Sequence, residues 1–136
     1  MNTFKLRILT PKGLYLESDV AFLSVRSEES VLGILPGHTP LVSTVSVCIG
    51  KIVFTEKEYF YAIGGGVLNI QKDQVTLILN SIEREDEIDR RRAYEAKEKA
   101  EKRLKEAGSA GDIDIHRAEA ALKRAYNRIS LLDRKI

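Results

Sequence analysis

The sequence predicts an α+β fold, with an antiparallel β-sandwich followed by a C-terminal two-helix antiparallel hairpin. Apolar side chains recur at every second residue up to about residue 83, and at steps of three and four after it. All three prolines and seven of the nine glycines lie in that first part, as is typical of short strands joined by turns. We therefore predict a β domain at 1–84 and a helical domain at 85–136.

The first half alternates apolar and polar residues. Phe4, Leu6 and Ile8 alternate with Lys5 and Arg7, as a strand with one buried face requires. The same pattern recurs in VAFLSVRS, PLVSTVSV, GKIVF, EYFYAI, GVLNI and QVTLIL. Short strands separated by Gly, Pro, Asp and Asn favour a two-sheet sandwich.

The second half has helical spacing. Apolar residues recur along the last predicted helix at positions Ile115, Ala118, Leu122, Ala125, Ile129 and Leu132. The preceding helix carries a stripe of mostly small residues, which lets a partner helix approach closely: Ala93, Ala96, Ala100, Leu104 and Ala107. Asp86 is a candidate N-cap for that helix, and the glycines Gly108 and Gly111 predict the hairpin loop near 107–112.

Such a hairpin is marginal on its own. Each helix can bury only one stripe against the other, so the pair needs a second surface, from the sandwich or from a partner. An appendage that is marginal in one position can occupy two, which is a first indication of a regulatory arm.

The composition limits the function classes. The chain of 136 residues has 22 basic and 20 acidic side chains, so no global field drives it onto nucleic acid or an anionic membrane. The N-terminal sequence does not have a signal-peptide pattern, and no apolar stretch is long enough to span a bilayer. The single cysteine, Cys48, excludes an intramolecular disulfide and fits a reducing cytosol. We expect a soluble cytosolic protein.

Two glycine-rich segments do not predict catalysis. In GILPGHTPLV, His38 has only Thr39 beside it, so we expect a rigid partner-contact loop formed by Gly33, Pro36, Gly37, His38 and Pro40. In IGGGVLN, the Lys-Ser/Thr pair of a phosphate loop is missing, which favours a bulge or turn between strands. His116 has no partner at metal-ligand spacing. We therefore expect neither an enzyme nor a metal site.

The segment EIDRRRA, residues 87–93, has three interpretations. It can be a solvated helix surface, because the residues after it form mixed-sign pairs four apart. It can bind nucleic acid, although residues 84–136 hold 15 basic and 12 acidic side chains and two aromatics for stacking, Tyr94 and Tyr126. It can also bind a compact anionic ligand.

The third interpretation follows from helical spacing. Ile88 and Arg92 lie one turn apart, and Lys99 lies two turns beyond Arg92. On the other arm, Arg124 and Arg128 are again one turn apart. If the hairpin folds back, these basic groups converge, while Asp89 can accept a hydrogen bond from an amino group. The set could hold a nucleotide without a phosphate loop.

The order of GILPGHTPLV, YAIGGGVLNI, EIDRRRAYEAKEKAEKRL and ALKRAYNRIS resembles the epsilon subunits of bacterial rotary ATP synthases over essentially the whole chain. The resemblance implies a sandwich of about ten strands, then two helices. It implies a non-catalytic central-stalk subunit that binds the gamma subunit and the c-ring. Such a subunit lies at the cytoplasmic face of the cell membrane, as a peripheral part of the complex without inserting.

The resemblance also implies that the hairpin is regulatory. When compact it lies against the sandwich, and when extended it reaches the alpha and beta subunits and blocks ATP hydrolysis. Some members bind ATP in the compact form through an Ile/Leu-Asp-x-x-Arg-Ala box, which Ile88, Asp89, Arg92 and Ala93 match. ATP would then be a regulatory ligand rather than an obligatory cofactor.

The family's further ATP contacts would fall on Glu83, Arg124 and Arg128. One position differs, because Lys99 stands where the ATP-binding members carry an arginine. Lysine keeps the charge but loses the planar fork for bidentate phosphate contact. An alternative from another class is a freestanding adaptor or nucleic-acid-binding module with a basic helical arm.

Overall fold

The computed structural model describes residues 2–107 and 112–134. Within those ranges the chain forms eight strands and then two helices, joined by a single 3-10 turn at Glu85–Glu87. The strands are β1 (Phe4–Thr10), β2 (Gly13–Val20), β3 (Phe22–Arg26), β4 (Val31–Ile34), β5 (Leu41–Val53), β6 (Glu58–Gln71), β7 (Gln74–Leu79) and β8 (Ile82–Arg84). The helices are α1 (Arg90–Ala107) and α2 (Asp112–Asp133). Gly108 and Gly111, in the predicted loop near 107–112, lie outside the described residues.

The predicted fold class is confirmed: a β-sandwich precedes two packed helices. The strand order is β2-β1-β7-β6-β5-β3-β4, and β8 pairs with β6. Neighbouring strands are antiparallel except β1 and β7, which run parallel with Lys5 opposite Gln74 and Leu9 opposite Ile78.

The described residues hold eight strands, roughly consistent with the ten or so that the resemblance implies, and two of these strands are long. The segments PLVSTVSV and GKIVF both fall in β5, which has 13 residues. The segments EYFYAI and GVLNI both fall in β6, which has 14 residues. The alternation of apolar residues is interrupted within each strand, so the pattern alone divides each into two.

The three glycines of β6 lie inside one continuous strand rather than at a turn between two. They stand where the neighbour of β6 changes from β8 to β7. A Cβ on Gly64 would lie 2.0 Å from the Ser81 hydroxyl, and one on Gly66 would lie 2.0 Å from the Ile78 carbonyl oxygen. Glycine is therefore required here by close approach of the backbones.

The sandwich core is formed by the inward residues of the alternating strands. Phe4, Leu6 and Ile8 of β1 are buried, as the alternation predicted. They pack with inward side chains from β3, β6 and β7, among them Leu23, Leu68 and Leu77. Burying one such side chain stabilises the fold by about 1.5–3 kcal/mol.

The helices pack through small residues. Ala93 and Ala100 on α1 and Ala118 and Ala125 on α2 are each no more than 3% exposed. This confirms the predicted stripe at Ala93 and Ala100, where small side chains let two helices pack closely, while the side chain of Ala107 lies outside the described residues. In the part of the chain that the structure describes, neither helix is long and apolar enough to cross a membrane.

Candidate functional site

The hairpin is compact and lies against the sandwich through α2. The Asn127 side chain donates hydrogen bonds to the Cys48 carbonyl oxygen at 2.8 Å and the Ile63 carbonyl oxygen at 3.4 Å. One turn further on, Leu131 is fully buried. The Arg134 guanidinium, just past the end of α2, lies 3.4 Å from the centre of the Phe60 ring. One face of α2 is thus fixed on β5 and β6.

The 3-10 turn before α1 is fixed by Glu87. The main-chain N–H of Arg84 donates to the Glu87 carboxylate at 2.7 Å, and the Tyr15 hydroxyl on β2 donates to the same oxygen. Burial, together with the bond to Glu87 and the charge of that carboxylate, raises the pKa of Tyr15 well above its usual range. The turn therefore has a fixed position on the sandwich.

Arg84 and Asp86 form an ion pair on the exposed side of the same turn. Arg84 bonds both Asp86 oxygens, at 2.6 and 2.7 Å, and these bonds lower the pKa of the Asp86 carboxyl. The Arg84 guanidinium also lies 4.6 Å from the centre of the Tyr59 ring. Asp86 is thus engaged by Arg84 and does not cap α1, which corrects the sequence-based expectation.

The cap of α1 is Asp89. Its carboxylate accepts the Arg92 main-chain N–H at 3.2 Å, and its carbonyl oxygen accepts the Ala93 N–H at 3.0 Å. The other carboxylate oxygen lies 3.9 Å from the Arg92 guanidinium. The first turn of the helix therefore places the Asp89 and Arg92 side chains side by side.

A cavity of about 290 Å³ lies between this turn and α2. Six of the eight predicted ligand residues line it: Glu83, Ile88, Asp89, Arg92, Ala93 and Arg128. Glu87 and Ala96 complete the lining. Across the cavity, the Arg128 guanidinium of α2 forms an ion pair with Glu83 of β8. The cavity is thus bounded by the sandwich and by both helices.

A second cavity, of about 490 Å³, adjoins the first and shares Glu83, Glu87 and Arg128 with it. It extends to the β1–β2 turn and to the residues between β7 and β8. The Glu83–Arg128 ion pair therefore stands at the boundary of both spaces.

Lys99 and Arg124 are not in the cavity lining. Lys99 is exposed and lies nine residues after Arg90, while Arg124 is half-buried and lies nine residues before Asp133. Since Arg90 and Asp133 are bonded to each other, Lys99 and Arg124 lie at about the same height on the antiparallel helices. We call Arg92, Lys99, Arg124 and Arg128 the cationic row, of which Arg92 and Arg128 line the cavity.

The predicted loop begins inside a strand, because Gly33 belongs to β4, and the residues after the buried Ile34 form the turn that leads to Pro40. Gly37 has a positive φ of 79°, and the His38 main-chain N–H bonds the Leu35 carbonyl oxygen at 3.2 Å. The His38 ring nitrogen lies 2.7 Å from the Thr39 carbonyl oxygen. Leu35 is 59% exposed, so the loop presents an apolar side chain that the sequence analysis did not single out. Among the described residues, no cluster of His, Cys, Asp or Glu is arranged to hold a metal ion.

The sequence analysis missed Glu87, Tyr15 and Asn127. Glu87 stands directly before the Ile-Asp-x-x-Arg-Ala box, and an acidic residue beside a box of ligand residues is a signal that could have identified it. Tyr15 is 72 residues from its partner Glu87 and Asn127 is 79 residues from Cys48. The spacing of residues along the sequence does not predict contacts between residues that are so far apart in the chain.

Comparison with known proteins identifies matches over the whole described chain. Residues 3–85 match the family model for the ATP synthase delta/epsilon chain, beta-sandwich domain. Residues 86–133 match the model for the long alpha-helix domain of the same chain. The ATP synthase epsilon chain of Bacillus licheniformis is 39% identical over 131 residues, covering 96% of this chain and 98% of the relative. That of Halalkalibacterium halodurans is 40% identical over 134 residues, covering 98% and 100%.

Two solved structures show the same fold. A chain in the Euglena gracilis mitochondrial ATP synthase structure (OSCP/F1/c-ring) has a TM-score of 0.79 at 22% identity, covering 96% of this chain and 81% of that chain. A chain in the Tetrahymena thermophila mitochondrial ATP synthase structure (central stalk/c-ring) has a TM-score of 0.59 at 14% identity, with coverages of 94% and 95%.

Proposed function

This chain belongs to the ATP synthase epsilon chain family, non-catalytic subunits of that complex, and we propose that it is an ATP-responsive regulator of the bacterial motor. In this proposal it is a central-stalk subunit whose sandwich, residues 1–84, binds the gamma subunit and the c-ring. The partner-contact segment formed by Gly33 at the end of β4 and by Pro36, Gly37, His38 and Pro40 after it is part of that surface. The complex holds the chain peripherally at the cytoplasmic face of the membrane. The hairpin, residues 85–136, reaches the alpha and beta subunits when it extends and blocks ATP hydrolysis.

The cavity between sandwich and hairpin is the observation that supports ATP regulation. Its side chains come from three places: Glu83 from β8, Arg92 from α1 and Arg128 from α2. A ligand that contacts all three bridges the sandwich and both arms, and these surfaces meet only while the hairpin is compact. Because such a ligand binds the compact state better, it raises the population of that state.

The chemistry of the cavity suits a nucleotide. Arg92 and Arg128 supply guanidinium groups for phosphate oxygens, in the fork geometry that favours bidentate contact. Without ligand these cations face the Asp89 and Glu83 carboxylates, so phosphate would replace carboxylate as their partner. The released carboxylates can accept a hydrogen bond from the amino group of adenine. Ile88 and Ala93 offer apolar surface to the adenine ring.

Lys99 and Arg124 are proposed as contacts for the outer phosphates. Both lie beyond the cavity, along the cationic row, so they would be reached by the far end of an extended triphosphate. Lysine at position 99 provides a single charged group, which should weaken rather than abolish this contact.

The energies are sufficient for a switch. ATP at about 100 times its dissociation constant stabilises the binding-competent state by about 2.7 kcal/mol. A hairpin that is held on the sandwich by one helical face should differ between its two positions by a few kcal/mol. High ATP would therefore keep the hairpin compact and the motor free, and low ATP would let it extend and inhibit.

Calorimetric titration of the full chain with ATP, ADP and GTP tests the nucleotide site. We expect saturable binding that prefers ATP and falls at least about tenfold in Arg92→Ala, since a charge-assisted phosphate contact is lost. Arg91→Ala is the matched control, because Arg91 stands on the same turn and is as exposed as Arg92, but it is not in the cavity lining and pairs with Glu95 at 3.0 Å. No heat at millimolar ATP, or an equal loss in both variants, would contradict the site.

The segment EIDRRRA, residues 87–93, does not support the nucleic-acid alternative. Its three arginines each face a carboxylate: Arg90 faces Asp133, Arg91 faces Glu95 and Arg92 faces Asp89. A surface whose cations are paired in this way offers little net charge to a phosphate backbone. Steeply salt-dependent binding to DNA or RNA would revive that alternative.

A further inference from the structure

Asn127 is a polar side chain on the face of α2 that contacts the sandwich. Its amide nitrogen donates to the carbonyl oxygens of Cys48 on β5 and Ile63 on β6. These two residues lie directly opposite each other in the β5–β6 ladder. A carboxamide has two N–H groups, so one side chain can bond a carbonyl of each long strand. We call this pair of bonds the amide contact.

The amide contact depends on the direction of its hydrogen bonds, whereas the neighbouring contacts of Leu131 and Arg134 with the sandwich do not. Leu131 is held by apolar packing and Arg134 by stacking on Phe60, and such contacts tolerate small shifts of the helix. Two hydrogen bonds to fixed backbone oxygens do not tolerate them, because bond strength falls steeply with misalignment. The amide contact therefore sets the position of α2 along β5 and β6.

A cavity lies beside the amide contact, so few packing contacts support α2 there. A space of about 550 Å³ lies between α2 and the strands β3, β4 and β5, with Asn127, Cys48 and Ser130 in its lining. Close packing thus does not hold α2 on this side. On this side α2 is held to the sandwich by the hydrogen bonds of Asn127. Because a cavity lies beside them, breaking these bonds does not disrupt a closely packed core.

One neighbour of Asn127 along α2, Arg128, lines the ligand cavity. Arg128, the next residue, forms the ion pair with Glu83, and Arg124 lies one turn before it. Since α2 is a rigid helix here, a shift at Asn127 moves both arginines relative to β8 and α1.

We propose that Asn127 is a positioning residue that fixes α2 on the sandwich. It sets the population of the compact hairpin and, through Arg128, the affinity for ATP. The first effect concerns the fold alone, and the second rests on the proposed function. A ligand that binds only the compact state has an apparent dissociation constant equal to its intrinsic constant divided by the fraction of chains that are compact.

The test uses the full chain and the substitution Asn127→Asp. This change keeps the size of the side chain but replaces both N–H donors by a carboxylate that faces two carbonyl oxygens. Ser130→Asp is the matched control, because it adds the same charge to the same helix and leaves the amide contact intact. Hydrogen–deuterium exchange without nucleotide reports whether α2 is held on the sandwich.

We expect exchange in α2 to rise at least about tenfold in Asn127→Asp and to stay near wild type in Ser130→Asp. Saturating ATP should slow exchange again in Asn127→Asp, because Arg92 and Arg128 are still present. Its ATP affinity should fall by the same factor as its compact population. A damaged fold would not be restored by ATP.

The outcomes separate the two proposals. Equal exchange in α2 of Asn127→Asp and wild type overturns the positioning role, whatever ATP does. A compact population that falls severalfold with unchanged ATP affinity overturns the link from Asn127 to Arg128. If wild type does not bind ATP, the nucleotide site fails, while the exchange measured without nucleotide still decides whether Asn127 holds α2.

Discussion

Arg90, the first residue of α1, bonds Asp133, the last residue of α2, at 2.8 Å between Nη1 and Oδ1. The bond closes the base of the hairpin, next to the sandwich. The sequence analysis left Arg90 as part of a solvated or ligand-binding arginine run, and the structure gives it a partner across the hairpin. Arg92, two residues on, faces the cavity instead. Arg90 and Arg92 therefore face different sides of α1, because residues two apart on a helix point about 200° apart.

Removing the Arg90–Asp133 bond should matter little for stability. Both side chains are about half exposed, and exposed ion pairs contribute little. We expect Arg90→Ala to change the thermal unfolding midpoint by no more than about 2 °C and to leave ATP affinity unchanged. A double-mutant cycle with Asp133→Ala isolates the pair. A large drop in the midpoint would show that the base of the hairpin is a major source of stability.

Replacing Leu131 should release the hairpin. The side chain is fully buried between α2 and the sandwich, so Leu131→Ala should cost about 2–5 kcal/mol. Because the sandwich has its own core, we expect faster hydrogen exchange in α2 and near-normal exchange in β1, β6 and β7. Ser130→Ala, one residue earlier and exposed, should have no such effect. Uniformly faster exchange would mean that the hairpin and the sandwich unfold together.

The Tyr15 hydroxyl should support the ligand cavity from the side of the sandwich. Tyr15→Phe removes one of two donors to Glu87, while the Arg84 N–H remains. We expect the turn before α1 to loosen, and ATP affinity to fall by about threefold to tenfold, equivalent to the loss of one hydrogen bond. Tyr94→Phe is a control on α1, since Tyr94 is 37% exposed and is not in the cavity lining. Equal effects of the two changes would argue against this role.

Tyr61 should make the sandwich sensitive to alkali. Burial raises the pKa of Tyr61 to about 12 from an ordinary value near 10. The fold thus favours the neutral phenol, and this contribution is complete below about pH 10 and is lost as the pH rises through 12. Urea unfolding between pH 8 and 11 should show falling stability. In Tyr61→Phe the decline should be shallower, and an identical decline would assign it to other groups.

Local patterns were enough to predict much of the fold. The period-two strands, the alanine stripe and the position of the change from strand to helix all follow from the spacing of apolar residues. That three residues at the start of α1 share one side also follows from local spacing, because residues three and four apart share one face of a helix. The cavity brings together Asp89, Arg92 and Ala93 for this reason.

The features that depend on tertiary contacts were not predictable. The sequence analysis named Asp86 as the cap of α1, but Asp86 bonds Arg84 and Asp89 caps the helix. The bonds from Tyr15 and Asn127 join residues that are far apart along the chain, so they follow from the sheet topology rather than from local spacing. The length of β6 depends on three glycines that allow close approach of the neighbouring backbone.

The most direct test of the account measures hairpin position and ATP hydrolysis together in the assembled ATP synthase. Distance labels placed on exposed positions of the sandwich and of α2 report the compact fraction while ATP is varied. We expect the compact fraction and the hydrolysis rate to rise over the same range of ATP, and Arg92→Ala to move both to higher ATP. A compact fraction that does not depend on ATP, or a hydrolysis rate that rises without it, would contradict the claim that ATP holds the hairpin in its non-inhibiting position.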